Sequence, residues 1–118
     1  MITLDVSLAE RSYPIYIGRD LLSQPELLQK HIQANEVMIV SNVTVAPLYI
    51  EKVKLCLANK RVEEVILPDG EQYKTLTELN SVFSALLEQR MSRQTTVVAL
   101  GGGVIGDMAG FAAACYQR

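Results

Sequence analysis

Residues 95–107 read TTVVALGGGVIGD, a β-branched apolar run followed at once by three glycines. The β-branched apolar residues favour an extended strand. The glycines predict a turn into a helix of small residues that extends to Cys115. Glycines lack a Cβ atom, so they can adopt positive φ angles and let a ligand approach the backbone closely. The amides that open the helix would then present partial positive charge to a phosphate. Residues 101–107, the glycine turn, are therefore a candidate phosphate-binding site.

The glycine spacing by itself leaves two interpretations open. Gly101, Gly103 and Gly106 match the G-x-G-x-x-G pattern of dinucleotide-binding turns. That pattern normally follows the first strand of a domain and precedes, by about 20 residues, an acidic residue that holds a ribose. Here it lies near the C-terminal end of the sequence. A tight strand-to-helix turn with close packing would also explain these glycines, so the choice depends on the rest of the chain.

Composition excludes several classes of protein. The 118 residues suffice for one domain with a core, and a net charge of −2 gives no electrostatic reason to expect nucleic acid or an acidic membrane as partner. No apolar run reaches transmembrane length, and Asp5, Glu10 and Arg11 argue against a signal peptide. We therefore expect a cytoplasmic protein. His31, the single histidine, has no clustered acids, so no metal site is predicted.

The end of the sequence is unusually apolar. Residues 110–116 read GFAAACY, which would make a helix apolar on every side, and no polar tail follows. Such a helix requires cover from further protein. We therefore expect residues 1–118 to form an incomplete N-terminal domain of a longer protein.

Strand and helix patterns alternate along the chain. The predicted strands are residues 2–8, 13–17, 37–40, 62–67 and 95–100. The predicted helices are residues 20–32, 45–59, 76–90 and the helix that follows the glycines. The first two strands show the alternation of half-buried strands and form a hairpin-like pair. The later lengths suit βαβ crossovers, so the predicted fold class is α/β, with a doubly wound, mostly parallel sheet.

Residues 68–74, PDGEQYK, form a second candidate segment, the polar turn. Asp69-Gly70 favours a tight turn from which Glu71 and Lys74 can project. A carboxylate can hold ribose hydroxyls, and a lysine can meet a phosphate or a polar ligand edge. The alternative is the start of a helix whose acids are placed near its dipole. Both interpretations stay open at this point.

Two further polar residues follow predicted strands or turns. Asn42 ends the strand at 37–40 and has an alternative role as an Asx-turn or cap residue. Asp107 falls in the first turn of the last helix, where a phosphate site gains nothing from added negative charge, so a role facing ribose or nicotinamide would account for it. Ligands bind parallel sheets beyond the carboxyl ends of their strands. Ser41-Asn42, the polar turn and the glycine turn are therefore candidates for one site.

Together these motifs resemble the 3-dehydroquinate synthase family, the cyclising enzymes of the shikimate pathway. The resemblance rests on residues 68–74, on residues 99–107, and on Asn42 followed by Ala46-Pro47-Leu48-Tyr49. These segments occur in the family's order and spacing across essentially all of the sequence. The resemblance implies the Rossmann-like, NAD-binding N-terminal part of a two-domain, metal-dependent enzyme.

The family's activity is conversion of 3-deoxy-D-arabino-heptulosonate 7-phosphate into 3-dehydroquinate and phosphate, with catalytic NAD. The resemblance implies that the zinc or cobalt ligands, a glutamate and two histidines, lie beyond Arg118 with the substrate-binding lysines. This chain would then hold no metal and no catalytic residue, would be inactive alone, and would belong to a homodimer. A sugar phosphate would be its partner, with no nucleic acid and no membrane.

The resemblance also assigns roles to residues. Asn42 would hold the adenine-side ribose, and Glu71 and Lys74 would line the cofactor. The glycines at 102 and 103 would cradle the pyrophosphate, and Asp107 would face the nicotinamide. Arg118 would approach the substrate phosphate. The full predicted cofactor set is Asn42, Asp69, Gly70, Glu71, Gln72, Tyr73, Lys74, Gly102, Gly103, Val104, Ile105, Gly106 and Asp107.

Two other functions are also compatible with these motifs. One is another sugar-phosphate cyclase or a metal-dependent oxidoreductase of the glycerol dehydrogenase type, with the same nucleotide half. The other is a nucleotide-binding module without catalysis. The DGEQYK segment favours the dehydroquinate branch, and the apolar residues 110–116 argue against the stand-alone module.

Overall fold

The central element is a buried strand, β3 (Glu36–Asn42), whose side chains from Val37 to Val40 have no solvent exposure. The computed structural model describes residues 1–116. β3 pairs in parallel with β4 (Arg61–Leu67) on one side and with β5 (Thr96–Ala99) on the other, in the order β4-β3-β5. A continuous apolar run suits a strand that is covered on both faces. The predicted parallel sheet is confirmed.

Helices cover both faces of this sheet. Alternate side chains of β3 point to opposite faces, so Val37 and Ile39 contact α2 (Ala46–Cys56) while Met38 and Val40 contact the other layer. That second layer consists of α3 (Leu76–Glu88) and α4 (Gly103–Cys115). The architecture is therefore doubly wound, as predicted, with one apolar core on each face.

The first predicted helix is wrong in extent. Instead of one helix over residues 20–32, a single 3-10 turn at Leu21–Ser23 precedes the short α1 (Pro25–Gln29). The helix α1 begins at Pro25, a residue that is well tolerated in the first turn of a helix. Ile32 is buried outside the helix, in the core beside α2. Its apolar side chain therefore reflects packing rather than helical periodicity.

The N-terminal strand pair forms a separate sheet. β1 (Ile2–Val6) pairs antiparallel with β2 (Tyr13–Ile17), as predicted. The expected half-burial is wrong, because Ile2, Leu4 and Ile17 expose 58%, 50% and 50% of their surface. Within residues 1–116 no layer covers the apolar side chains of these strands. Nor does any helix in that range have the length and apolar character needed to cross a membrane.

Candidate functional site

Three loops meet at the carboxyl edge of the parallel sheet. They follow β3, β4 and β5, and side-chain hydrogen bonds connect them. Asn42 Nδ2 donates to Asp69 Oδ1 at 3.3 Å, and Lys74 Nζ donates to Asp107 Oδ2 at 2.7 Å. The expectation that the three segments share one edge is confirmed, because parallel strands all end on the same side of a sheet.

In the glycine turn the three consecutive glycines have different surroundings. A Cβ atom at Gly101 would lie 3.0 Å from Ile105 Cγ1, so packing against this buried side chain disfavours any larger residue there. At Gly102 and Gly103 a Cβ would meet no described atom within 4 Å. The positive φ angles considered for these glycines do not occur, since Gly70 is the one glycine of the described chain with positive φ. Packing explains Gly101, and open space beside the backbone is what Gly102 and Gly103 provide.

The start of α4 presents unused amides to this open space. Gly102 is its N-cap, has φ −87°, and offers no side-chain acceptor to the first helical N–H groups. Helix N-termini attract anions through these amides and the helix dipole. The arrangement of exposed glycines and uncapped amides therefore fits a pyrophosphate.

Other predicted residues of the glycine turn are less accessible. Val104 is half-buried and Ile105 is buried in the core, so at these two positions the backbone rather than the side chain is available to a ligand. The amide of Gly106 already donates to the Gly102 carbonyl at 3.0 Å. A ligand can therefore approach the backbone of Gly106 closely, but the Gly106 N–H is not free to donate to it.

The polar turn is held by a conformation that requires glycine. Gly70 has φ +134°, and a Cβ there would lie 2.4 Å from Gln72 Oε1. A short 3-10 turn, Glu71–Tyr73, follows, and all three of its residues are exposed. Thr75 caps α3 by accepting from the Glu78 amide at 3.2 Å. The first-turn acid of α3 is thus Glu78, whereas Glu71 lies in the first turn of the short 3-10 helix before it.

A cross-loop ion pair joins the polar turn to α4. The Lys74 ammonium lies 2.7 Å from Asp107 Oδ2 and 4.0 Å from Glu71 Oε1. The hydrogen bond with Asp107, together with the negative charges of Asp107 and Glu71, raises the pKa of Lys74 above its usual 10.5. The lysine is therefore charged at neutral pH and offsets the carboxylate beside the glycine turn.

A cavity of about 400 Å³ opens next to this ion pair. Its polar wall consists of Lys74, Thr75 and Asp107. Its apolar wall comes from α3 and α4, through the side chains of Leu76, Leu79, Met108 and Phe111. An apolar wall with a few polar groups at one side is typical of small-molecule sites.

Asn42 adopts the Asx-turn role that was one of its two interpretations. It is 6% exposed, and its Oδ1 accepts from the amides of Thr44 at 3.0 Å and Val45 at 2.8 Å. The neighbouring Ser41, which the sequence placed in the same candidate segment without a role of its own, has a buried Oγ that donates to the Leu100 carbonyl at 2.8 Å. A serine that ends a buried apolar run must find a partner, and that was the available signal.

The other residues considered in the sequence lie outside these three loops. Arg118, the candidate for a substrate phosphate, is outside the described residues. His31 is exposed and lies 3.2 Å from the Tyr16 hydroxyl. Residues 1–116 contain no group of three or more His, Cys, Asp or Glu side chains that could hold a metal ion.

Comparison with known sequences finds relatives that are named 3-dehydroquinate synthases. A family model described as "3-dehydroquinate synthase N-terminal" matches residues 64–118. Over the whole chain, identity is 62% to the 3-dehydroquinate synthase of Ruthia magnifica subsp. Calyptogena magnifica and 65% to that of Pseudomonas entomophila (strain L48). The chain spans 33% and 32% of the length of these relatives, about one third.

Solved structures agree on the fold. A 2-deoxy-scyllo-inosose synthase complexed with carbaglucose-6-phosphate, NAD+ and Co2+ matches with a TM-score of 0.85 and 24% identity, over 99% of this chain and 33% of that one. The 2-epi-5-epi-valiolone synthase of Streptomyces hygroscopicus subsp. jinggangensis 5008, with NAD+ and Zn2+ bound, matches with a TM-score of 0.71 and 31% identity, over 96% of this chain and 32% of that one. By its motifs and its sequence similarity along its entire length, the chain resembles 3-dehydroquinate synthases, of which it spans about one third.

Proposed function

We propose that the protein carrying this chain converts 3-deoxy-D-arabino-heptulosonate 7-phosphate into 3-dehydroquinate and phosphate. Residues 1–118 are its N-terminal NAD-binding part. Identities of 55% to 65% with 3-dehydroquinate synthases support this substrate over those of other cyclases, whose solved structures share 23% to 31% identity with the chain. The metal ligands, the substrate-binding lysines and a homodimer interface are proposed on family resemblance alone.

The single observation that carries the nucleotide site is the opening of α4. Its first amides face space that no Cβ atom fills at Gly102 and Gly103. The two cyclase structures named above contain NAD+, which supports the same ligand here. When bound, NAD supplies reversible hydride transfer, which converts a substrate carbinol to a ketone and acidifies the neighbouring C–H bond.

The residues of this chain orient the cofactor. Backbone N–H groups of Gly102 and Gly103 hold the pyrophosphate. Glu71 and Lys74 border the cofactor from the polar turn, and Asp107 offers a hydrogen-bond acceptor toward the nicotinamide side. The ion pair between Lys74 and Asp107 keeps that carboxylate from opposing the anionic ligand.

Calorimetric titration of NAD into the protein tests the nucleotide site. We expect saturable binding by the wild type and its loss in Gly102→Val, because the added side chain occupies the space beside the α4 amides. Gly110→Val is the matched control, since Gly110 lies further along α4 and also faces open space. Undiminished binding by Gly102→Val would exclude the glycine turn as the phosphate site, and a folded wild type that binds no NAD would exclude the function.

Release of phosphate from 3-deoxy-D-arabino-heptulosonate 7-phosphate tests the activity. We expect turnover by the complete protein with added zinc or cobalt and no turnover by residues 1–118 alone. Preference for a different sugar phosphate would favour the other cyclases. Nucleotide binding without any turnover by the complete protein would favour a non-catalytic module.

A further inference from the structure

Helices α3 and α4 each begin at one loop of the candidate site. α3 starts at Leu76, directly after the polar turn, and α4 starts at Gly103, inside the glycine turn. Each helix has 13 residues, a length of about 20 Å, and α3 must return along the sheet because β4 and β5 run in the same direction. The position of α4 along α3 therefore affects how far apart the two loops lie.

At the far end of the two helices, one residue is bonded to both of them. The Met91 amide donates to the Leu86 carbonyl at 2.9 Å and closes the C-terminal end of α3. Arg90 before it has a left-handed φ of +55°, as in the Schellman motif that ends many helices. The Met91 carbonyl accepts a hydrogen bond of 2.7 Å from the hydroxyl of Tyr116, at the end of α4. Met91 is 2% exposed, so this carbonyl has little access to water as an alternative partner.

Apolar packing between the helices does not by itself fix their relative position along the axis. Leu79 and Leu86 of α3 share one core with Met108 and Ala112 of α4. Such contacts are non-directional, and alanine presents only a shallow ridge to a neighbouring helix. The axial position of α4 therefore depends on directional contacts at the helix ends.

One directional contact is present at each end. At the site, the side chains of the Lys74–Asp107 ion pair are 41% and 63% exposed, and exposed ion pairs contribute little because solvent screens them. At the far end, the Tyr116 hydroxyl bonds to a carbonyl of a buried residue. Loss of a partner costs more where the group left behind is buried. The Tyr116 hydroxyl is therefore the stronger of the two constraints.

We propose that Tyr116 is a positioning residue for the dinucleotide, whose bond to Met91 sets the distance between the glycine turn and the polar turn. This rests on the proposed function, in which both turns contact one NAD molecule. The geometry of a binding site must be held within about 0.5 Å, which is less than the rise of about 1.5 Å per helical residue. A hydroxyl at the far end of α4 thus acts on the ligand through the helix rather than by contact.

Tyr116→Phe in the complete protein that contains the chain tests this role. The phenyl ring keeps its packing against the core of α3 and α4, and only the hydroxyl is removed. Tyr16→Phe is the chemically matched control, since the Tyr16 hydroxyl lies 3.2 Å from His31, away from both helices. Val53→Ala is the control for lost stability, because Val53 is buried in the core on the other face of the sheet.

A positioning role predicts NAD binding that is weaker by about threefold or more in Tyr116→Phe, and by less than about threefold in both controls. Calorimetry measures this at a temperature at which circular dichroism shows each variant to be folded. A smaller change in Tyr116→Phe would overturn the proposal. An equal loss in Val53→Ala would overturn it as well, by tracing the effect to general destabilisation. A wild type that binds no NAD contradicts the proposed function instead, and the two failures are thereby distinguished.

Hydrogen exchange in the wild type gives a test that does not depend on how a variant folds. Coupling is reciprocal, so a bond that favours NAD binding is itself favoured when NAD is bound. On saturation with NAD, the amides of Met91 and Tyr116 should gain more protection than the Leu57 amide, which is also hydrogen-bonded and lies at the end of α2. Equal gains at the three amides would overturn the proposal.

Discussion

At the scale of single residues, the glycines of the two turns have different structural roles. Gly70 is needed for its backbone angle, Gly101 for close packing on Ile105, and Gly102 for the open space beside the helix start. The sequence predicts that glycines matter in both turns. It does not separate these reasons, because φ and the distance to a neighbour are properties of the folded chain.

Replacement of Gly70 by alanine should destabilise the protein. Its φ of +134° is a region that residues with a Cβ rarely adopt, whereas the atoms nearest to an added Cβ are the flexible end of the Gln72 side chain, which can move away. We expect a loss of about 1 to 3 kcal/mol in the free energy of unfolding, measured by urea denaturation. Gly110→Ala, in the interior of α4, should instead gain about 0.5 to 1 kcal/mol. Equal stability of Gly70→Ala and wild type would contradict the strained turn.

The ion pair of Lys74 should be insensitive to pH near neutrality. The pKa of Lys74 is raised by the hydrogen bond with Asp107. For a group whose pKa rises on folding, the stabilisation is complete below the unfolded pKa, here near 10.5, and is lost as pH rises through the folded pKa. The difference in unfolding free energy between wild type and Lys74→Met should stay constant from about pH 6 to about pH 9 and shrink above about pH 10.5.

Lys52→Met, on the exposed surface of α2, is the control for that series. None of the ion pairs among the described residues involves Lys52, so this variant reports the loss of a surface lysine alone. If the difference in unfolding free energy between wild type and Lys74→Met already declines between neutral pH and about pH 9, Asp107 does not hold the lysine.

At the scale of elements, helix α3 shows how burial divides a helix. Leu86 has no solvent exposure and packs in the core beneath the sheet, whereas the adjacent Leu87 is 61% exposed. Leu86→Ala should therefore cost about 2 to 5 kcal/mol through lost burial and a new cavity. Leu87→Ala should stay within about 0.5 kcal/mol of wild type. Thermal and urea unfolding measure both, and similar losses at the two positions would contradict this orientation of α3.

Element types followed from the sequence where one physical signal dominated. The run from Val37 to Val40 predicted a strand covered on both faces, and helical spacing predicted α3. Ile32 misled the prediction of the first helix, since its burial comes from contact with α2 rather than from a helical turn. A tertiary contact of this kind leaves no local periodicity to read.

At the scale of the whole molecule, topology explains why a site could be predicted at all. Parallel strands end on one side, so the loops that follow β3, β4 and β5 had to converge. The pairing of Lys74 with Asp107 could not be predicted in the same way, because it depends on how α4 lies against the polar turn. The convergence of the three loops therefore followed from the fold class, whereas the side-chain contacts between them depend on tertiary packing.

The N-terminal hairpin should be much less protected than the central sheet. A two-stranded sheet is marginally stable in water unless a further layer packs on it, and the apolar side chains of β1 and β2 are exposed. In residues 1–118 at low protein concentration, the amides of these strands should exchange with solvent by local opening, orders of magnitude faster than those of β3. Hydrogen exchange measured by mass spectrometry tests this. Equal protection at low concentration would contradict it, and protection that rises with concentration would show that a second copy of the chain covers the hairpin.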